Sequence, residues 1–304
     1  MKKKIRAIKE ALTNILQIKN IIEKQVQKQL RIQEISKNVH LLNNKGVTTS
    51  LYNGKELIIT LTTYNKRIFQ VHLAIESLLE QTLKPNRIIL WLDKNEFSHE
   101  NLPLNLLTLE NRGLQIEFCE NIRSYKKLIP TLLKYPHAIP ITADDDIIYP
   151  EDFVERLYKA YLKDPSKIYF YRGHKMNIIN GYIQPYNTWK LETSLTDDSF
   201  HNFPTTGGGV LYPEGTLDKE VTNAKVFMSI CPWADDVWFK AMSLKAGSKC
   251  QQIQLECPFR EKFYFMDTMD DISLARINQL GNQNDPQIKS VFEKYKLYEK
   301  FKEA

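Results

Sequence analysis

Glycine and proline are scarce in this chain, 11 and 13 of 304 residues, and no low-complexity tract or fixed-period repeat runs through it. That argues against a disordered chain and against a solenoid. The four cysteines, Cys119, Cys231, Cys250 and Cys257, stand apart, and none forms a CxxC pair. They are expected to be buried thiols in a reducing compartment. No stretch reaches the roughly 18 apolar residues that a spanning helix needs. Lys2, Lys3 and Lys4 resemble the charged start of a signal peptide. The segment behind them is interrupted by Arg6, Lys9, Glu10, Thr13 and Asn14, so it lacks an apolar h-region. The expectation is a cytoplasmic protein, or one peripheral on the inner face of the cytoplasmic membrane. The formal net charge of +6 is mild, and neither zinc-finger spacing nor an RNP-like aromatic motif accompanies it. This suits an anionic small substrate or an acidic surface and gives no support to nucleic acid.

The 42% of hydrophobic residues suffices for one substantial core with appendages. Residues 1–50 read as an N-terminal amphipathic helix and linker. Ile5, Ile8, Leu12, Ile15, Ile22 and Val26 recur at spacings of three and four, and Lys19 and Gln29 interrupt the seam. The helix packs on its own domain, forms a homodimer, or lies on an anionic membrane surface. Asn43-Asn44-Lys45-Gly46 closes it as a linker. Residues 51–262 alternate strands with helices. Strands are expected at Glu56–Thr62, Arg87–Asp93, Gln115–Phe118 and Ala138–Thr142, and helices at Arg67–Gln81 and Tyr125–Tyr135. Such alternation implies an α/β fold with a mostly parallel, Rossmann-like central sheet flanked by helices. Residues 263–304 read as a C-terminal helical basic tail. Its run from Lys294 to Lys302 alternates aromatic residues with lysines, as a membrane-facing or a packed helix would.

Parallel sheets bind ligands beyond the carboxyl ends of their strands. Asp93 and the cluster Asp144-Asp145-Asp146 stand at two such ends. Three adjacent carboxylates raise one another's pKa. A hard divalent cation, Mn2+ or Mg2+, would resolve that conflict and could bridge a diphosphate. The competing reading is an acidic turn that caps the helix beyond Pro150. A second acidic pair, Asp235-Asp236, opens a helical run after Pro232-Trp233. It suits a helix N-terminus on electrostatic grounds alone, and equally a general base. Gly207-Gly208-Gly209 lacks the G-x-G-x-x-G pattern of a dinucleotide loop, but three glycines let backbone approach a sugar closely. Arg123, Lys126 and Lys127 follow the third strand, where a cation would offset a diphosphate.

These blocks taken together resemble the nucleotide-binding half of the GT-A, family-2-like glycosyltransferases of bacterial surface polysaccharide and lipopolysaccharide synthesis. They are Thr62-Thr63-Tyr64-Asn65 with Arg67, the strand ending in Asp93, and Asp144-Asp145-Asp146 with Pro150. Downstream, Thr206-Gly207-Gly208-Gly209-Val210 and Trp233-Ala234-Asp235-Asp236 lie where that family carries acceptor-side motifs. The resemblance implies a nucleotide-sugar donor, with UDP as the carrier, and a glycan or lipid-linked acceptor. Thr62, Tyr64, Arg67, Asp93, Lys126, Asp144 and Asp145 would bind the donor. Metal would be held within Asp144, Asp145 and Asp146, either by the D-x-D pair Asp144 and Asp146 or by Asp145. Gly207, Gly208, Gly209 and Trp233 would face the acceptor. Asp236 would be the base of an inverting transfer, with Asp235 orienting it. Two rivals remain, a retaining transferase of the same fold and a degenerate scaffold in a polysaccharide assembly complex. A nucleotidyltransferase is disfavoured, because Thr62-Thr63-Tyr64-Asn65-Lys66-Arg67 contains no glycine.

Overall fold

A computed structural model describes residues 2–266 and 283–301, with side chains from residue 13 onward. Residues 267–282, part of the expected C-terminal tail, lie outside the described residues. The apolar runs become a seven-stranded sheet. Its strands are β1 (Leu57–Thr62), β2 (Arg87–Asp93), β3 (Leu114–Cys119), β4 (Ile139–Thr142), β5 (Ile168–Phe170), β6 (Val210–Leu211) and β7 (Cys250–Gln252). Their spatial order is β7-β5-β6-β4-β1-β2-β3. All neighbours pair in parallel except β6, which runs antiparallel between β4 and β5. The expected mostly parallel α/β fold is therefore present.

Residues Leu57 to Leu61 are buried on both faces of β1, which explains why that strand reads as a continuous apolar run rather than an alternating one. Leu57, Ile59 and Leu61 join the core formed with helices α2 (Val71–Leu79) and α4 (Phe153–Lys163). Between them in sequence, α3 (Ile129–Lys134) packs at the opposite face. There α5 (Asp235–Ala246) and α6 (Asn284–Lys294) build a second core around Phe170, Val210, Trp238 and Phe292.

The long N-terminal helix is present as α1 (Lys2–Leu41). Its last turns dock on the domain through Ile35 and Val39. The expected linker is pinned down: Gly46 N–H donates to the Arg112 carbonyl at 2.9 Å. A Cβ on Gly46 would meet Leu79 Cδ2 at 2.4 Å, so only glycine fits there. Two helix expectations need revision. Arg67 lies in a 3-10 turn, Asn65–Phe69, that precedes α2. The helix expected from Tyr125 is instead a 3-10 turn, Arg123–Lys127, broken from α3 at Leu128. In the C-terminal run Leu297 and Phe301 are buried against the second core, so its apolar side is a packed one and not a membrane-facing stripe. No helix among the described residues is long and apolar enough to cross a membrane.

Candidate active site

Chain order leaves β1 toward β2 and β3, then returns to the other side of β1 with β4. That reversal is the topological switch point, and a crevice opens beyond the carboxyl ends of β1 and β4. Thr62-Thr63-Tyr64 and the three aspartates both emerge there. The register places Thr60 opposite Thr142. Three residues further on, Thr63 and Asp145 meet: Thr63 Oγ1 donates to Asp145 Oδ2 at 2.5 Å. Arg67 Nη1 donates to Asp145 Oδ1 at 2.6 Å and to Asp146 Oδ2 at 3.1 Å. The Arg67 guanidinium also lies 5.5 Å from the Tyr64 ring centroid.

Asp144 points the other way. Lys127 Nζ donates to its Oδ1 at 2.5 Å and to Thr206 Oγ1 at 3.1 Å. The same ammonium lies 3.6 Å from Asp235 Oδ2. Thr206 N–H donates to Asp236 Oδ1 at 2.8 Å. Lys127 and Thr206 therefore tie the strand-end aspartates to the acidic pair at the first turn of α5. Asp144, Asp235 and Asp236 line one cavity of about 200 Å3, together with Lys127, Thr206, Gly207 and His174. A larger cavity of about 760 Å3, between α1 and residues 257–264, contains neither acidic cluster.

The electrostatics follow from this enclosure. Burial, then repulsion by Asp144 and Asp145, pushes the Asp146 carboxyl up to about 7, against the pull of Arg67. Burial also raises Asp145, with Arg67 and Thr63 opposing. Asp236 is pushed up to about 7 by burial and by Asp235, while Lys127 draws it down. Burial disfavours the Lys127 ammonium, yet Asp144, Asp235 and Asp236 outweigh that and hold it above its ordinary value. His174 is buried, accepts the Glu192 N–H through Nδ1 at 3.0 Å, and is pushed down to about 4 by burial and then Arg172. It is neutral at physiological pH.

The aspartates fit a divalent cation in one particular way. Among the described residues no three His, Cys, Asp or Glu side chains converge on a point. The described residues therefore build no closed protein cage. A metal held by one or two carboxylates, with phosphate and water completing its shell, matches Mg2+-type coordination. The Asp146 carboxyl is raised first by burial and then by repulsion from Asp144 and Asp145, and that repulsion is what such a cation would relieve.

Other residues singled out by sequence fall as follows. Thr62 Oγ1 donates to the Trp91 carbonyl at 2.7 Å, joining β1 to β2. Asp93 is buried at the end of β2 and accepts the Asn95 N–H at 2.9 Å. Lys126 is buried towards Asp93 and Cys119, away from the aspartate cluster, and burial lowers its pKa against the pull of Asp93. Lys127 is thus the lysine at the cluster. Trp238 is core, with Nε1 donating to the Val221 carbonyl at 2.9 Å. Trp233 is partly exposed, and the Arg123 guanidinium sits 3.3 Å from its ring centroid.

The three glycines are buried, and protein side chains take the space they leave. A Cβ on Gly207 would meet Asp144 Oδ2 at 1.8 Å, one on Gly208 Arg172 Cβ at 2.4 Å, and one on Gly209 Phe153 Cε2 at 2.3 Å. Tyr149 reinforces the seam: its hydroxyl donates to the Gly207 carbonyl at 2.8 Å and accepts the Asp144 N–H at 2.7 Å. Gly207→Ala is expected to displace the Asp144 carboxylate from the buried Lys127 ammonium, at a cost of about 1–3 kcal/mol in stability. Thermal melting of the variant beside wild type measures this.

No family model matches this sequence, and no curated protein matches it. Among solved structures, the chain is similar to the crystal structure of GalNAc-T7 with UDP, GalNAc and Mn2+, at a TM-score of 0.48 and 11% identity. The similarity covers 80% of this chain and 49% of that one, so this chain spans about half of that protein's length.

Proposed function

We propose that this chain is a metal-dependent GT-A glycosyltransferase of the family-2-like kind. It would move a sugar from a UDP-sugar to a glycan or glycolipid acceptor with inversion. The observation that carries this reading is the joining of two acidic clusters, 90 residues apart, through Lys127 and Thr206 at the switch point of a mostly parallel sheet. A degenerate scaffold has no use for mutually repelling carboxylates aimed into a cavity.

The division of labour follows from the environments. Asp144, Asp145 and Asp146 are the residues that would hold Mn2+ or Mg2+. When bound, the cation offsets the charge of the diphosphate leaving group. Tyr64 and Asp93 lie along the same carboxyl edge and would receive the nucleoside. The cavity of about 200 Å3 is smaller than the roughly 300–1,000 Å3 of a site that swallows a whole ligand. It suits the reacting sugar, with the nucleotide running out along the strand ends. Asp235 lies against the Lys127 cation, whereas Asp236, with its pKa raised, is matched to taking a proton near neutrality. The acceptor O–H proton passes to Asp236 as the oxygen bonds the anomeric carbon. The bond from that carbon to the diphosphate oxygen breaks, and its electron pair leaves with the nucleoside diphosphate. Attack opposite the leaving group inverts the centre. Lys127 holds Asp144 and Asp235 in place and contributes positive charge beside the leaving group.

Calorimetric titration of UDP with and without Mn2+ tests this. Wild type should bind UDP in a metal-dependent manner. A variant with Asn at 144, 145 and 146, checked for its fold by circular dichroism, should lose that dependence. Failure of the wild type to bind UDP, GDP or CMP with either metal would overturn the donor assignment.

A further inference from the structure

Among the described residues, the 40-residue helix α1 docks on the domain mainly through its carboxyl-terminal turns. Arg31, Ile32, Ile35, Asn38 and Val39 make that contact, with Arg31 Nη2 donating to Glu80 Oε2 at 2.7 Å and Asn38 Nδ2 to Glu80 Oε1 at 2.6 Å. Further towards the amino end, Lys24 reaches Glu261 at 2.6 Å on the same side. Among the described residues the other side is largely apolar and exposed. Ile15, Leu16, Ile18, Ile21, Ile22 and Val26 are 47–66% exposed, with the exposed Lys19–Glu23 pair among them, 3.6 Å apart. At about 100° per residue these six span an arc of roughly 220°, centred opposite the docking side. Among the described residues, the domain lies behind this stripe and does not cover it.

Charge identifies the occupant. The first 30 residues carry seven Lys and one Arg against two Glu, a formal +6. That equals the formal net charge of the whole chain, so the remainder is balanced. A helix about 10–12 Å across keeps even its far lysines near one Debye length, about 8 Å, from a surface beneath it. Two copies paired through this face would bring two such charges together. The arc is also wider than the narrow a/d seam of a coiled coil, and Lys19, Glu23, Gln25 and Gln29 interrupt it. We infer that the exposed face of α1 lies on an anionic lipid bilayer, with the catalytic body standing on the helix's opposite side. The inference is independent of the reaction assigned to the aspartates.

The test is co-sedimentation of the full chain with vesicles of pure phosphatidylcholine and with vesicles containing about a third phosphatidylglycerol, with mass measured by light scattering. Binding should occur only with phosphatidylglycerol and should weaken about fivefold for each basic residue neutralised. Ile18→Gln with Ile22→Gln should cut partitioning by about tenfold or more. Both positions are solvent-exposed, so the domain is expected to fold unchanged, and circular dichroism with thermal melting serves as the control. Equal binding by this variant and wild type would overturn the inference. So would a stable dimer that ignores vesicles and becomes monomeric in the variant, which would identify the stripe as a self-association seam.

Discussion

Asp236→Asn is expected to lower turnover by about 100-fold to 10,000-fold, the range of a positioned general base. UDP affinity should stay within about twofold, because Asn keeps an oxygen to accept the Thr206 N–H and adds no bulk. The pH dependence gives the sign. Enclosure and Asp235 push the Asp236 carboxyl up to about 7, so below that pH it is protonated and cannot accept a proton. Wild-type kcat/KM should therefore rise with pH on an acid limb near 7, and the residual rate of the Asn variant should lack that limb. A limb of unchanged midpoint in the variant would assign the titration to another group, and full activity would remove Asp236 from the reaction. Product anomer analysis by NMR distinguishes inversion from retention in the same samples.

The second large effect lies far from the chemistry. Arg112→Met should destabilise the fold by about 3–5 kcal/mol, the usual cost of leaving one member of a buried ion pair alone. Arg112 and Glu76 are almost completely buried and bonded to each other, and Arg112 Nε also donates to the Asn44 carbonyl at 3.1 Å. The pair therefore joins α2, the approach to β3 and the segment that follows α1. Burial already pushes the Glu76 carboxyl up against the pull of Arg112, so loss of the guanidinium leaves a group poorly suited to its surroundings. Replacing both partners, Glu76→Leu with Arg112→Met, should recover most of the loss, because an apolar pair of similar volume needs no charge compensation. Urea denaturation midpoints for the two single variants and the double variant measure this. Additive losses in the double variant would refute a coupled pair.

The strands that carry the site were legible because β1, β2 and β4 are apolar runs ending in polar residues, and a parallel sheet buries both faces of its strands. The aspartate cluster and Asp235-Asp236 stood out for the same reason, as charge where the pattern had just been apolar. Lys127 did not, because selecting it over Lys126 needs the phase of the backbone between Arg123 and α3. That segment is a 3-10 turn with Arg123 at φ 58° and a break at Leu128, so no helical period applies. Thr63 and Thr206 were missed as site residues because they matter through strand register and loop closure, which ordinary threonines do not announce. The glycines were recognised as places of close approach, but what approaches Gly207 in this fold is Asp144. The short strands β6 and β7, two and three residues long, carry too few positions to show any period.

The antiparallel strand β6 also bears on how the molecule assembles. β1 to β4 lie within residues 57–142 and pair among themselves, so that half of the sheet can form as soon as those residues leave the ribosome. β5 has no pairing with β4; it joins the sheet only once Val210–Leu211 has inserted between them. Until then Asp144 lacks Gly207 and Thr206 beside it, and its edge strand is open. The candidate crevice is thus among the last features to close, held by contacts of long sequence separation that slow folding, and a nascent chain halted before residue 211 would present an unpaired β4 edge to other chains.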